Sequence, residues 1–345
     1  MAAAHVRTFA AIAVLGLLAS DASAQYHTSR HPPLEGPVRI EITSRPIEYF
    51  DSRDATRHRF GALEFRGGLE LTSSYKEFGG ISSLRVAPDG ERFISVSDKG
   101  RWLRGKLIYR DGRLAGVTDA EMAPILATDG RPITARGWYD SESLADDGAG
   151  TVYVGLERVN RVLRFDYGKS GLLARGQNVT LPPEIAKLPN NKGMECLVVV
   201  PKPLPGAGTL IAISERALDA GGNIKGFLIT GPTPGGFSVK RSDDFDVTDC
   251  AISAAGDLFL LERRFSWTAG VAMRVRMLPL ANVVPGATVD GRQLIFADMG
   301  YQIDNMEGLA IHRDKAGETV LTMVSDDNFS FVQRTILLQF ALVGE

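Results

Sequence analysis

The chain has 345 residues, with 39 Lys+Arg set against 41 Asp+Glu and a formal net charge of −2 at pH 7. That balance removes any global electrostatic case for nucleic acid or an anionic membrane as partner. Two cysteines and five histidines offer no Cys/His spacing for zinc.

The first element in chain order is an address. His5 and Arg7 precede an apolar run from Phe9 to Leu18, and Ala22-Ser23-Ala24 then supplies a small-x-small cleavage pattern before Gln25. This reads as a secretory leader over residues 1–24. The apolar run is shorter than the ~20 residues a spanning helix needs, so a periplasmic or secreted mature protein is expected, with no membrane contact after cleavage. Residues 25–59 form a polar, proline-bearing lead-in. Residues 60–345 read as one domain, which Phe60–Leu71 opens with a strand-like alternation.

A repeat follows. An acidic residue before Leu or a small apolar residue starts an apolar run in Glu142-Ser143-Leu144, Glu195-Cys196-Leu197, Asp249-Cys250-Ala251 and Glu307-Gly308-Leu309. A second acid ends the next run, in Glu157-Arg158, Glu215-Arg216, Glu262-Arg263 and Asp326-Asp327. A weaker copy precedes them, with Ser82-Ser83-Leu84 and then Asp98-Lys99, so the inner series starts without an acid. Starts at 82, 142, 195, 249 and 307 are 60, 53, 54 and 58 residues apart. Strand-bearing self-similarity near 50 residues is the signature of a β-propeller. The expected fold is all-β, with five or six blades of mostly four antiparallel strands. Because the chain ends on a third strand, the spare strand at 60–71 is expected to close the ring.

Hairpin geometry turns the repeat into a site. The start of one strand and the end of its antiparallel neighbour share one sheet edge. An inner ring of Glu142, Glu195, Asp249 and Glu307 and an outer ring of Asp98, Glu157, Glu215, Glu262 and Asp326 are therefore expected at one mouth of the channel. Like charges so close need neutralising. Oxygen-only ligands suit a hard divalent cation such as Ca²⁺; alternatively, Lys99, Arg158, Arg216 and Arg263 staple the acids across blades. The same cations would suit a phosphate ester held by bidentate hydrogen bonds. Cys196 and Cys250 take the same place in two copies, which predicts two separate buried thiols beyond the ~7 Å Cα limit for a bridge.

The leader, Asp140-x-Glu142-Ser143-Leu144, Gly193-Met194-Glu195-Cys196-Leu197, Met306-Glu307-Gly308-Leu309-Ala310 and Ser325-Asp326-Asp327-Asn328-Phe329 resemble the bacterial phytase-like proteins, over residues 60–345. That resemblance implies an exported hydrolase of phosphate or related esters. By analogy with β-propeller phytases, Ca²⁺ would sit among the mouth acids, with Glu142 and Glu307 activating water and Lys99, Arg158, Arg216 and Arg263 near a small-molecule ester. A monomer is expected. Two other readings stay open: a non-catalytic binding propeller whose acids are structural, and a lactonase-like propeller with one divalent ion.

Overall fold

A computed structural model describes residues 36–343; the leader at 1–24 and the start of the lead-in lie outside the described residues. Five antiparallel sheets form a five-bladed β-propeller, so the count left open between five and six is five. Blade 1 runs Ile81–Val86, Arg92–Ser97, Arg101–Arg110 and Arg113–Pro124 from the channel outward, with Val38–Arg39 added at its edge. Blade 2 runs Ser141–Asp146, Thr151–Leu156, Arg161–Asp166 and Gln177–Asn178. Blade 3 runs Met194–Val199, Leu210–Leu218, Ile224–Leu228 and Gly235–Val239, with Thr288–Val289 pairing in parallel at its rim. Blade 4 runs Asp246–Ile252, Asp257–Ser266, Gly270–Pro279 and Arg292–Ala297.

Blade 5 is shared by the two ends of the described chain. Asn305–Arg313, Thr319–Asp326 and Thr335–Leu342 are completed by Leu63–Thr72, which pairs antiparallel with the last strand, Thr335 opposite Leu71 and Leu342 opposite Leu63. The expected closing strand is thus in place, and Thr43–Ile47 from the lead-in caps it. Closure this way leaves no open edge between the first and last blades.

A propeller has no single core. Each blade is apolar on both faces, so apolar side chains are buried between neighbours as five layers, one per interface. Trp102 and Phe165 meet edge to face between blades 1 and 2, Phe227 and Val162 lie between blades 2 and 3, and Ile213 and Leu260 between blades 3 and 4. Phe259 and Leu309 belong to the layer between blades 4 and 5, and Leu337 and Leu103 close the circle between blades 5 and 1.

The sheet registers contain one repeated irregularity. Where the first strand of each blade leaves the mouth, a bulge inserts one extra residue against the second strand. The residues flanking it pair normally: Ile81 and Ser83, Ser141 and Ser143, Met194 and Cys196, Val247 and Asp249, Met306 and Gly308. The bulged residues are therefore Ser82, Glu142, Glu195, Thr248 and Glu307. A bulge re-aims a side chain that the pleat would otherwise point into a neighbouring blade.

Candidate functional site

This register corrects the alignment of blade 4 by one residue. Asp249 is one position past the inner slot, which Thr248 occupies, donating its hydroxyl to the Met306 carbonyl at 3.0 Å. The same slip moves the outer slot: Ser97, Leu156, Ser214 and Ser325 pair just before the bulge, and Glu262 takes that place in blade 4. Arg263 then stands where blades 1, 2, 3 and 5 carry Asp98, Glu157, Glu215 and Asp326. The mouth holds seven ring acids with a guanidinium among them, in place of two complete acidic rings.

Asp249 and Glu262 do other work. Asp249 is fully buried, and both its oxygens accept from the Arg85 guanidinium at 2.9 and 3.0 Å. Arg85 also donates to the Leu197 and Leu309 carbonyls, each at 2.9 Å, so this pair ties the first strands of blades 1, 3, 4 and 5 together inside the channel. Glu262 is fully buried between Arg274 and Arg276, each Nε donating at 2.7 Å. It faces the third strand of its own blade, away from the mouth.

The cysteine expectation is also overturned. Cys196 and Cys250 form a disulfide with Cα atoms 5.2 Å apart. Their places are not equivalent: Cys196 is one residue past its bulge and Cys250 two past. First strands converge toward the axis, and that one-residue offset brings the thiols of blades 3 and 4 face to face.

At the mouth, one carboxylate oxygen each from Glu157, Glu195 and Glu215 lies within 4.8 Å of the others. Backbone stitches fix these groups across blade boundaries. The Gly193 N–H donates to Glu157 Oε1 at 2.8 Å, and Glu215 N donates to the Gly193 carbonyl at 2.7 Å. A β-carbon at position 193 would stand 2.8 Å from Glu157 Cγ, so this approach requires glycine. Asp140, in the left-handed region at φ 56, donates its N–H to the Asp98 carbonyl and receives that of Glu157.

Across the mouth, Asn305 Nδ2 donates to Glu307 Oε1 at 2.7 Å, and Arg263 Nη2 lies 3.6 Å from both Glu215 and Glu307. The Arg263 Nε–H is buried without an acceptor, as is one oxygen of Asp98 without a donor. Asn328 and Phe329 are consecutive left-handed residues, φ 48 and 50, held by Asp326 and Asp327 accepting their N–H groups. A bulky residue there is strained, and it sets the Phe329 ring beneath the Lys99 ammonium.

Every ring acid is pushed above its ordinary range. Burial is the main cause throughout, and the acids themselves add to it. Glu142 is raised by burial, then by Glu307, Asp98 and Glu157. Glu195 is raised by burial, Glu142 and Glu157, and Asp326 by burial, Glu307 and Asp98. Burial pushes Asp98 up to about 7, with Lys99 opposing. Burial likewise pushes Glu157 up to about 7, with the Gly193 N–H opposing. Glu215 and Glu307 are raised by burial and held back most by Arg263.

The other cations are occupied further out. Arg158 pairs with Asp140 and Arg216 with Asp246. Asp304 is drawn to the Arg334 backbone and guanidinium. Of the tryptophans, Trp102 is core while Trp267 is 94% exposed on the blade 4 hairpin. Sequence reasoning missed Thr248, Arg263 as a ring member, and the Arg85 plug. Spacing offered a signal for the first: position 248 lies 53 residues after 195, as 195 does after 142.

The family model described as "Phytase-like: Esterase-like activity of phytase" matches residues 76–329, well over half of the chain. No curated protein matches it. Among solved structures the chain is similar to the tail fiber of Staphylococcus aureus phage P68, at 12% identity and TM-score 0.43, over 83% of this chain and 54% of that one. It thus spans about half the length of that chain. It is also similar to U3-55K, at 12% identity and TM-score 0.36 over 78% and 84% of the two chains. The RRP9 WD40 repeats match at 12% identity and TM-score 0.34, over 78% and 82%.

Proposed function

Since this chain belongs to the phytase-like family, we propose that it is an exported, metal-assisted hydrolase of phosphate or related esters working at the acidic mouth. The observation that carries the reading is the convergence of Glu157, Glu195 and Glu215 within 4.8 Å, inside a set of carboxylates that Arg263 cannot neutralise alone. Oxygen donors without thiol or imidazole fit a hard divalent cation, Ca²⁺ first among them. When bound, such an ion neutralises ester oxygens and acidifies water.

The side chains divide the remaining work. Glu157, Glu195 and Glu215 would hold the ion. Arg263, with a buried N–H lacking an acceptor, binds an oxygen of the phosphoryl group by a charge-assisted hydrogen bond. Glu142, engaged in no ion pair among the described residues and raised by burial and the neighbouring acids, would be ionised once a bound cation offsets those charges, and in that form would take a proton from the attacking water. The water oxygen joins phosphorus as the ester oxygen leaves with its electron pair. Glu307, fixed by Asn305, keeps Arg263 aimed. The disulfide supports export, since such bonds persist in oxidising compartments.

The test is a pair of variants. Glu195→Gln should remove Ca²⁺-dependent turnover of a phosphomonoester together with Ca²⁺-linked thermal stabilisation. Arg263→Gln should raise KM for the anionic ester while keeping that stabilisation. Turnover unchanged by Glu195→Gln overturns the reading. Stabilisation by Ca²⁺ with no turnover of phosphate esters or lactones would favour a binding propeller, and selective lactone turnover the lactonase alternative.

A further inference from the structure

At the mouth, blade 4 rises above its own first strand. That strand meets the second only as far as Asp246 opposite Arg263, yet the second and third strands stay paired for three residues more, to Ser266 opposite Gly270. The result is a two-stranded ribbon standing clear of the sheet, and its two faces are used differently. Arg264, on one face, donates to the Asp243 carbonyl at 3.1 Å and lays its guanidinium 4.9 Å from the centre of the Phe245 ring. This ties the ribbon down to the approach to the first strand.

The other face carries Phe265. Side chains two apart on a strand share a face, so Phe265 follows Arg263 on the side turned toward blade 5, where its cross-strand partner Val271 packs against the layer between blades 4 and 5. Trp267 completes the tip, its ring edge to face with Phe265 at 5.3 Å, in a turn where the Thr268 N–H donates to Ser266 Oγ at 3.3 Å. Phe265 is 55% exposed and Trp267 94%. On blade 5, the mouth-side loop between Asp326 and Thr335 carries Phe331 and Val332, also exposed. A single exposed apolar side chain needs no explanation, but grouped ones beside a polar cleft mark a binding surface.

Position supplies the occupant. Phe265 stands two residues beyond Arg263, about 7 Å along the strand, which is the reach of an ester whose aromatic ring lies two carbons from the ester oxygen. The mouth below is polar, so an ester held there turns its organic body outward along this ribbon. Resting on the phosphate-ester reading of the mouth, we infer that the ribbon selects the substrate: a phosphate ester of an alcohol bearing an apolar ring, with Phe265 and Trp267 as specificity-determining residues.

The test compares 2-phenylethyl phosphate with ethyl phosphate, whose leaving oxygens are alike, so that only the ring differs. In Ca²⁺, KM for the phenylethyl ester should be at least tenfold lower. Phe265→Ser with Trp267→Ser, both at exposed positions, should bring the two KM values together while the melting temperature stays near wild type. Equal KM values in wild type, or a preference that survives in the double variant, would overturn the inference. If neither ester is turned over, the hydrolase reading has failed, and calorimetry in Ca²⁺ with 2-phenylethylphosphonate against ethylphosphonate decides the inference separately. A tenfold preference lost in the double variant upholds it; equal affinity, or no binding of either, overturns it. Pelleting with phosphatidylcholine vesicles that the double variant loses, without any preference for the ring, would overturn it in favour of a lipid surface.

Discussion

Replacing Glu157 by Gln should stabilise the cation-free protein. Glu157 is 5% exposed, and its pKa is pushed from 4.5 to about 7, first by burial and then by Glu215 and Asp140. Well below pH 4.5 both folded and unfolded chains hold the proton, and the group costs nothing. As pH rises, the unfolded chain releases it first, so stability falls until the folded group also ionises near pH 7. A gap of about 2.5 units at about 1.36 kcal/mol each is on the order of 3 kcal/mol. The Glu157→Gln variant keeps the size of the side chain and an oxygen to accept the Gly193 N–H, so its gain arises from the missing charge. For a chain of this length that is a rise of about 5 °C in melting temperature at about pH 8, and almost none at about pH 4. Scanning calorimetry across that range, in chelator and then in millimolar Ca²⁺, checks both halves. In Ca²⁺ the order should reverse, because wild type gains a ligand-linked term that the variant loses in part. A wild-type melting temperature that stays flat between about pH 4.5 and 7 in chelator, or a variant no more stable at high pH, refutes the reasoning.

Two further expectations concern the channel below the mouth. Arg85→Met leaves Asp249 buried and unpaired, which should cost about 3–5 kcal/mol in urea unfolding. Adding Asp249→Asn should restore most of it; a loss under about 1 kcal/mol for Arg85→Met alone contradicts the plug. Cys196→Ser with Cys250→Ser opens a link across 54 residues and should lower stability by about 2–4 kcal/mol, with reductant reproducing the effect in wild type and having none in the double variant.

The fold was legible because a propeller writes its plan several times. Apolar first and second strands around a Gly-rich turn recur in every blade, and a chain ending on a third strand demands a closing strand from its start. Leu63–Thr72 meets that demand. The mouth was legible in blades 1, 2, 3 and 5 for the same reason. It failed in blade 4 because Asp249-Cys250-Ala251 imitates Glu195-Cys196-Leu197 one residue out of step. A bulge has no residue signature of its own, so letter similarity outweighed register. The better guide was the apolar residue before the bulge, present as Ile81, Met194, Val247 and Met306. The Arg85 plug lay beyond reach altogether: contacts that cross a channel axis depend on the depth of each side chain, which no linear spacing encodes.

That one-residue shift changes the chemistry of the site. Two closed acidic rings would be symmetric, and any cation would see five similar walls. With Thr248 and Arg263 in blade 4 and Ser82 in blade 1, negative charge is concentrated on blades 2 and 3, where Glu142, Glu157, Glu195 and Glu215 stand. Arg263 stands between Glu215 and Glu307, 3.6 Å from each. Carboxylates raised by burial and by one another oppose the fold when ionised. Perturbed carboxylates gathered at one mouth are the physical pattern on which the hydrolase proposal rests.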